Sequence, residues 1–385
     1  MSSNFKVLQV IPRLGYGGAE TGCYDIAHYL PEKNCKSYII TSGGPLIKYI
    51  KKEKVKIFRL PVQSKNPALM IFNSFVITLI VLIYNINIVH ARSRAPAWSC
   101  YWSCFFTRRK FVTTFHGTYN YSNSYKKFYN SIMVKSNLII GGSNFIFEHI
   151  NANYSEYLDP KNKLMVIFRG INLEYYNPDN ISENKINKLK KLWKVRDDRI
   201  KILLPGRLTN WKGQEKFIEA LNILIEDYNT DNFQAFILGS DQGRNVYKKK
   251  LQSLIDRYNI NKKIKFIDHC KEMPLAYSLA DVVVSASIEP EAFGRVSVEA
   301  QAMGKPIIAS DLGGSKETII KGKSGFLYKH NDPRQLAKAL NTVIELDQDT
   351  LNYMGNEGRK NIAKKFDVEI MCDSNLREYK KLLKK

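Results

Sequence analysis

The chain has 385 residues, 44% hydrophobic and 25% charged, which exceeds one hydrophobic core, suits two domains and excludes a disordered chain. Its six cysteines contain no Cys-x-x-Cys pair, which argues against a disulfide scaffold and a structural zinc site and for a reducing compartment. Lys and Arg number 59 against 36 Asp and Glu, a net +23, and residues 1–150 hold 19 basic and 5 acidic side chains where 151–385 hold 40 and 31. So basic a first part predicts an anionic partner: a phospholipid surface, a nucleic acid or a phosphorylated substrate.

In chain order, apolar runs at 5–11, 37–41, 55–60, 86–91, 110–115, 138–141 and 164–168 predict buried strands. Helical stretches at 19–30, 67–84, 95–107, 121–135 and 143–153 separate them. Near-continuous apolar strands alternating with helices predict a parallel sheet covered on both faces. The pattern restarts with strands at 200–205, 234–238, 263–268, 282–287 and 306–310, and the polar segment 174–199, with Pro178, is expected to link the halves. The architecture expected is α/β: two Rossmann-like, doubly wound parallel-sheet domains facing a cleft, with ligands at the carboxyl ends of the strands. Residues 68–89 are apolar enough to suggest a membrane span, but Asn73, Ser74, Thr78, Asn85 and Asn87 interrupt them. A buried helix running into a strand is the better expectation, with partial docking at a membrane interface left open. No secretory signal is expected, since residues 1–9 lack a basic region followed by an apolar stretch.

Three motifs carry chemistry. Gly15-Tyr16-Gly17-Gly18-Ala19-Glu20 follows the first strand, where glycines let backbone N–H groups approach a phosphate at a helix start. It is not the dinucleotide fingerprint, because Glu20 stands where the third glycine would be. Pro205-Gly206-Arg207-Leu208-Thr209-Asn210-Trp211-Lys212-Gly213 sets two cations before a helix, Arg207 as a fork and Lys212 as a point charge, suited to a diphosphate. Glu289-Pro290-Glu291-Ala292-Phe293-Gly294-Arg295-Val296-Ser297-Val298-Glu299 puts Glu291 in a loop and Glu299 in the following helix. Carboxylates so placed can accept hydrogen bonds from sugar and ribose hydroxyls, and the amides at 293–296 suit a phosphate.

Together with the junction Val166-Ile-Phe-Arg-Gly-Ile-Asn172, and with Gly325-Phe-Leu-Tyr and Asp332-Pro-Arg-Gln-Leu-Ala-Lys-Ala-Leu340, these motifs closely resemble the group 1 glycosyltransferases (family 4), nearly end to end. That resemblance implies a GT-B fold and retaining transfer of a sugar, as a metal-independent hexosyltransferase, from a nucleotide diphosphate-sugar to a glycan or lipid-linked acceptor. Lipopolysaccharide or another cell-surface glycan is the implied product. By the same resemblance Arg207 and Lys212 bind the donor diphosphate, Glu299 the ribose, and Glu291 faces the donor sugar. Phe293, Gly294, Arg295 and Val296 form the loop that meets sugar and phosphate. Gly17 and Gly18 form the N-terminal loop near the phosphate, and His116 lies near the reacting sugar. His116, Glu291, Arg207 and Lys212 are the expected catalytic group. Two departures bear on the acceptor side: Gly117 where many members carry Asp, and Arg169 where Asn is common.

The domains implied are 1–175, with a helix at about 366–385 returning to it, and 176–365. No cofactor is expected beyond the donor substrate. The only Asp-x-Asp, Asp347-Gln348-Asp349, lies between helical segments and not at a strand end. The expected location is cytoplasmic, at the inner face of an anionic membrane. An epimerase or phosphorylase of the same fold is the alternative enzyme. A nucleic-acid-binding protein is the alternative of another class, weakened because the basic residues are dispersed and no recognition motif is present.

Overall fold

A computed structural model describes residues 4–243 and 245–384, and the chain divides into two units: 1–170 with 368–385, and 171–367.

The first unit holds seven strands: β1 Lys6–Val10, β2 Lys36–Thr41, β3 Val55–Arg59, β4 Ile88–Ala91, β5 Lys110–Phe115, β6 Leu138–Gly141 and β7 Lys163–Val166. They form one parallel sheet in the order β3-β2-β1-β4-β5-β6-β7. β1 lies beside both β2 and β4, so the chain order reverses between β1 and β4. Loops diverge at such a switch point and leave a crevice at the strands' carboxyl ends. Val10 pairs with Ala91 and Ala91 with Thr113, so the segments after β1, β4 and β5 leave the sheet close together. These segments carry Gly17–Gly18, Arg92 and His116.

The second unit holds six strands: β8 Ile200–Pro205, β9 Phe233–Leu238, β10 Ile264–Ile267, β11 Val282–Ser285, β12 Ile307–Ser310 and β13 Gly325–Tyr328. Their order is β10-β9-β8-β11-β12-β13, all parallel. The switch point lies between β8 and β11, whose following loops carry Arg207, Lys212 and Glu291. Ile202, Leu204, Ala235, Ile237, Val282 and Val284 are wholly or almost wholly buried against the helices Gln214–Glu226 and Pro333–Ile344. Two parallel-sheet α/β units are therefore present, as the alternation of strands and helices predicts. β13 lies outside the expected strands.

Three segments differ from expectation. Residues 174–199 are not a bare linker: they contain a 3₁₀ turn Pro178–Asn180 and a helix Glu183–Trp193. The helix is mostly polar, with Ile186 and Leu189 half-buried, and at its end the buried Trp193 packs on Phe236 with ring centroids 5.5 Å apart. Residues 121–135 form a shorter helix, Ser124–Ser131, started by Asn123, whose Oδ1 accepts from Lys126 N at 2.8 Å. The apolar helix Pro67–Ile83 is not buried all round. Asn66 caps it, and its inward face includes Asn73 and Ser74, Asn73 donating to Pro61 O at 3.1 Å, while Ile71, Phe72, Phe75 and Ile83 point to solvent. Among the described residues no helix is long and apolar enough to cross a membrane.

The last helix, Val368–Lys384, is built into the first unit's core through Met371, Cys372, Leu376 and Tyr379. Lys163 Nζ donates to Glu378 Oε2 at 2.6 Å, and Tyr379 OH lies 2.6 Å from His90 Nδ1.

Candidate functional site

In the second unit, β8 ends at Pro205 and the turn Asn210–Lys212 brings Lys212 back toward the loop after β11. Lys212 Nζ donates to Glu291 Oε1 at 2.7 Å, with the two side chains 13% and 10% exposed, and lies 4.3 Å from the centroid of the Trp211 ring. Ser287 Oγ donates to the same carboxylate oxygen at 2.5 Å. The sequence places Lys212 and Glu291 in separate motifs; the fold makes them a partly desolvated ion pair. Arg207 is exposed one turn earlier. Ser287 escapes the sequence, since a single serine after a strand has no signature.

Glu299 is nearly buried in the helix Arg295–Ala302. Its Oε1 accepts from Arg295 Nε at 3.0 Å and Nη2 at 2.6 Å, and its Oε2 from Tyr277 OH at 2.7 Å. Burial, and after it the Glu299 charge, holds the Tyr176 and Tyr277 phenols above their ordinary range, and Glu299 raises Arg295. Arg295 thus does more than lend an amide: its guanidinium fixes Glu299. The i, i+4 spacing of the pair was legible in the sequence, whereas the tyrosines come from distant segments.

The loop before this helix is held by backbone. Gly314 N donates to Glu291 O at 2.7 Å, and a Cβ at Gly314 would lie 2.6 Å from Ala292 O. Gly294 has φ +88°, and a Cβ there would lie 2.6 Å from Ser315 Cα, so a glycine is required. The paired glycines of Asp311-Leu-Gly-Gly-Ser315, without an assigned role from sequence, are what clamp Phe293 and Glu291 in place.

Helix starts at the three motifs share one property. The helices Gly18–Glu32, Gln214–Glu226 and Arg295–Ala302 begin at Gly17, Gly213 and Gly294, with no capping side chain. Asn66, Asn123, Ser143, Asp332 and Asp347 cap other helices with side-chain oxygens, while the helices that start after Ser93, Ser182 and Glu272 are also uncapped, so it is the glycine at each of the three motif starts that sets them apart. Uncapped first-turn N–H groups at the positive end of a helix dipole are suited to an anionic ligand.

In the first unit, a Cβ on Gly18 would lie 2.5 Å from Arg169 Nη2, so the Arg169 guanidinium lies over the glycine loop. Arg92, buried after β4, donates from Nε to Gln9 Oε1 at 2.7 Å, and its Nη2 finds no partner among the described residues. Gln9 Nε2 in turn donates to Cys23 O at 3.0 Å. Both ring nitrogens of His116 are buried without a hydrogen-bond partner. Burial, then Arg169, Arg92 and His90, hold His116 well below the usual imidazole range, so its ring is neutral. His90 is also held neutral by burial and Arg92, its Nε2 2.7 Å from Thr114 Oγ1. Arg92 and His90 were absent from the expected site because nothing in their spacing marks them.

Among the described residues no cluster of three or more His, Cys, Asp or Glu could hold a metal ion. What the two units offer is cations, uncapped helix starts and carboxylates at the switch points of parallel sheets.

The family models agree with this arrangement. Residues 16–175 match glycosyltransferase family 4 and residues 185–361 match the glycosyl transferases group 1. A glycosyltransferase crystal structure from Rickettsia africae is 37% identical, with 99% of each chain covered and a TM-score of 0.90. HepE of Anabaena in complex with UDP-glucose is 22% identical, with 98% of this chain and 100% of that chain covered and a TM-score of 0.82. A capsular polysaccharide biosynthesis glycosyltransferase of Staphylococcus aureus is 27% identical over 232 residues, which cover 59% of this chain and 58% of that protein. The chain spans about half the length of several other curated relatives, 55% and 47% in two cases. The chain belongs to the group 1, family 4 glycosyltransferases and has their GT-B fold.

Proposed function

We propose that the protein transfers a hexose, with retention of configuration, from a nucleotide diphosphate-sugar to a glycan or lipid-linked acceptor of a cell-surface polymer. The observation that carries this reading is the second unit's switch point, where Arg207, the Lys212–Glu291 pair and two uncapped helix starts surround one loop system. Arg207 and Lys212 take the diphosphate, and the first-turn amides from Arg295 onward supply further donors. Their combined positive charge offsets the charge of the leaving diphosphate, so no metal is assigned. Glu299, oriented by Arg295 and Tyr277, accepts from the ribose hydroxyls, and Glu291 accepts from the donor sugar. UDP-glucose bound to HepE, and the capsular role named for the staphylococcal relative, support this class of donor and product.

On the acceptor side, neutral His116 offers one N–H and one lone pair next to the Gly17–Gly18 loop and Arg169. The cation excess of this unit, 27 basic against 10 acidic side chains in 1–170 and 368–385, draws the enzyme to an anionic membrane where lipid-linked acceptors reside. The cytoplasmic face is the location this reading assigns.

The test is nucleotide release from a panel of nucleotide-sugars, with and without extracts of surface glycans and lipid-linked sugars as acceptors. Release that rises with acceptor and leaves a sugar-bearing product supports the reading. Sugar epimerised without transfer points instead to an epimerase, and release that requires inorganic phosphate points to a phosphorylase.

A further inference from the structure

We propose that the first unit carries a built membrane-insertion face: the outer sides of the helices Pro67–Ile83 and Arg94–Thr107 enter the interfacial layer of an anionic bilayer, ringed by lysines and arginines. The proposal deepens the membrane part of the function above and is independent of the sugar-transfer reaction.

Unlike an ordinary surface helix, Pro67–Ile83 is apolar on both faces, with Ile77, Ile80 and Val81 packed inward. Asn73 and Ser74 are buried, whereas Ile71 is 72% exposed, Phe72 52%, Phe75 64% and Ile83 73%. The helix Arg94–Thr107 continues the same surface with Trp102, Phe105 and Phe106, the two phenylalanines 63% and 69% exposed. Trp102 touches both, with ring centroids 6.1 Å and 6.5 Å away, so the aromatics form one patch. A groove of about 270 Å³ extends it to Tyr125 and Phe128 on the neighbouring helix Ser124–Ser131. Single exposed apolar side chains are ordinary, but a continuous aromatic and aliphatic patch marks an interaction surface.

Charge selects the occupant. Residues 54–147, a run of 94, contain 12 Lys and Arg and no Asp or Glu. Lys54 and Lys127 reach carboxylates outside the segment, Glu32 and Glu156. Lys65, Arg108 and Lys126 are exposed at the patch's margins, next to Asn66, after Phe106–Thr107 and beside Tyr125. An apolar centre with a cationic rim fits acyl chains below anionic headgroups, with tryptophan at the boundary. A second copy would bring two like-charged rims together, which association disfavours. A nucleic acid would meet the cations but leave the aromatic and aliphatic centre unmatched. The helices lie on the surface and do not cross, since no described helix is long and apolar enough to span.

The test is sedimentation of the full chain with vesicles of phosphatidylcholine alone or mixed with phosphatidylglycerol, across a salt series. The wild type should prefer the anionic vesicles and keep a salt-resistant bound fraction. A quadruple variant, Phe72→Ser, Phe75→Ser, Phe105→Ser and Phe106→Ser, should lose that fraction, with partitioning weakened about tenfold or more. A Lys65→Gln, Arg108→Gln, Lys126→Gln variant should lose lipid-charge preference instead. All seven side chains are exposed, and circular dichroism melting checks that both variants fold. Trp102 emission should shift blue and be quenched by lipids brominated on the acyl chain, and Trp102→Phe should remove that signal. No binding to either vesicle, binding by the serine variant equal to wild type, or a wild-type dimer that the serine substitutions dissociate would each overturn the proposal. None of these outcomes bears on nucleotide-sugar turnover, so the enzymatic reading stands or falls separately.

Discussion

Lys212 and Glu291 hold each other at 2.7 Å, so a diphosphate that recruits Lys212 must compete with a carboxylate. Two substitutions should therefore act with opposite sign on nucleotide affinity. Lys212→Ala removes a cation from the leaving group and should lower turnover by roughly a hundred- to a thousandfold, about 3–4 kcal/mol of transition-state stabilisation. Glu291→Gln frees Lys212 and should tighten nucleoside diphosphate binding, yet lower turnover because the proposed contact to the donor sugar would lose its negative charge. Calorimetry with steady-state kinetics separates the two, and a Glu291→Gln variant that binds nucleotide more weakly than wild type contradicts the competition. Glu299→Gln should weaken nucleotide affinity more than saturated turnover, since the ribose proposed for that carboxylate would share it with Arg295. His116 gives a pH signature. Its folded form stays neutral while the unfolded chain takes up a proton near the ordinary imidazole value of about 6.5. The unfolded state then binds more protons, so stability falls as pH drops below about 6.5, by up to about 1.4 kcal/mol per pH unit for this group. Urea unfolding of His116→Gln between neutral and acidic pH should show a shallower slope than wild type, and equal slopes would contradict the neutral assignment.

At the scale of elements, the glycine loops decide where the site sits. Gly294 at φ +88° faces Ser315, so Gly294→Ala should destabilise the second unit by about 1–3 kcal/mol and displace the Glu291 loop. A thermal scan that leaves the melting temperature unchanged would show that the loop yields freely. Most strands and the helices between them were legible, because a strand covered on both faces is an unbroken apolar run. The outer face of Pro67–Ile83 was not legible. A helix apolar on every side gives no sign of which side packs, and only the fold shows Asn73 and Ser74 turned inward. The helix Glu183–Trp193 was hidden for the opposite reason: one buried tryptophan anchors eleven mostly polar residues.

For the whole molecule, the second unit's motifs stood out in the sequence because each is a short contiguous segment: Arg207 with Lys212, and Glu291 with Glu299. In the first unit His116 and Arg169 stood out in the sequence, but Arg92, His90 and the way the fold groups them did not. Arg92, Arg169 and His116 follow different strands, and His90 meets Tyr379 across 289 residues. Such contacts follow from strand order and leave no local pattern. By the proposed function, the second unit's cations and helix starts bind a nucleoside diphosphate. The most direct measurement is calorimetric titration of UDP, GDP and ADP into the full chain in the presence of EDTA, repeated with Arg207→Ala and Lys212→Ala. One nucleotide should bind without metal, and each substitution should weaken it by at least about tenfold, in line with the loss of a charge-assisted contact. Binding of none of the three, or binding that survives both substitutions unchanged, would contradict the assignment.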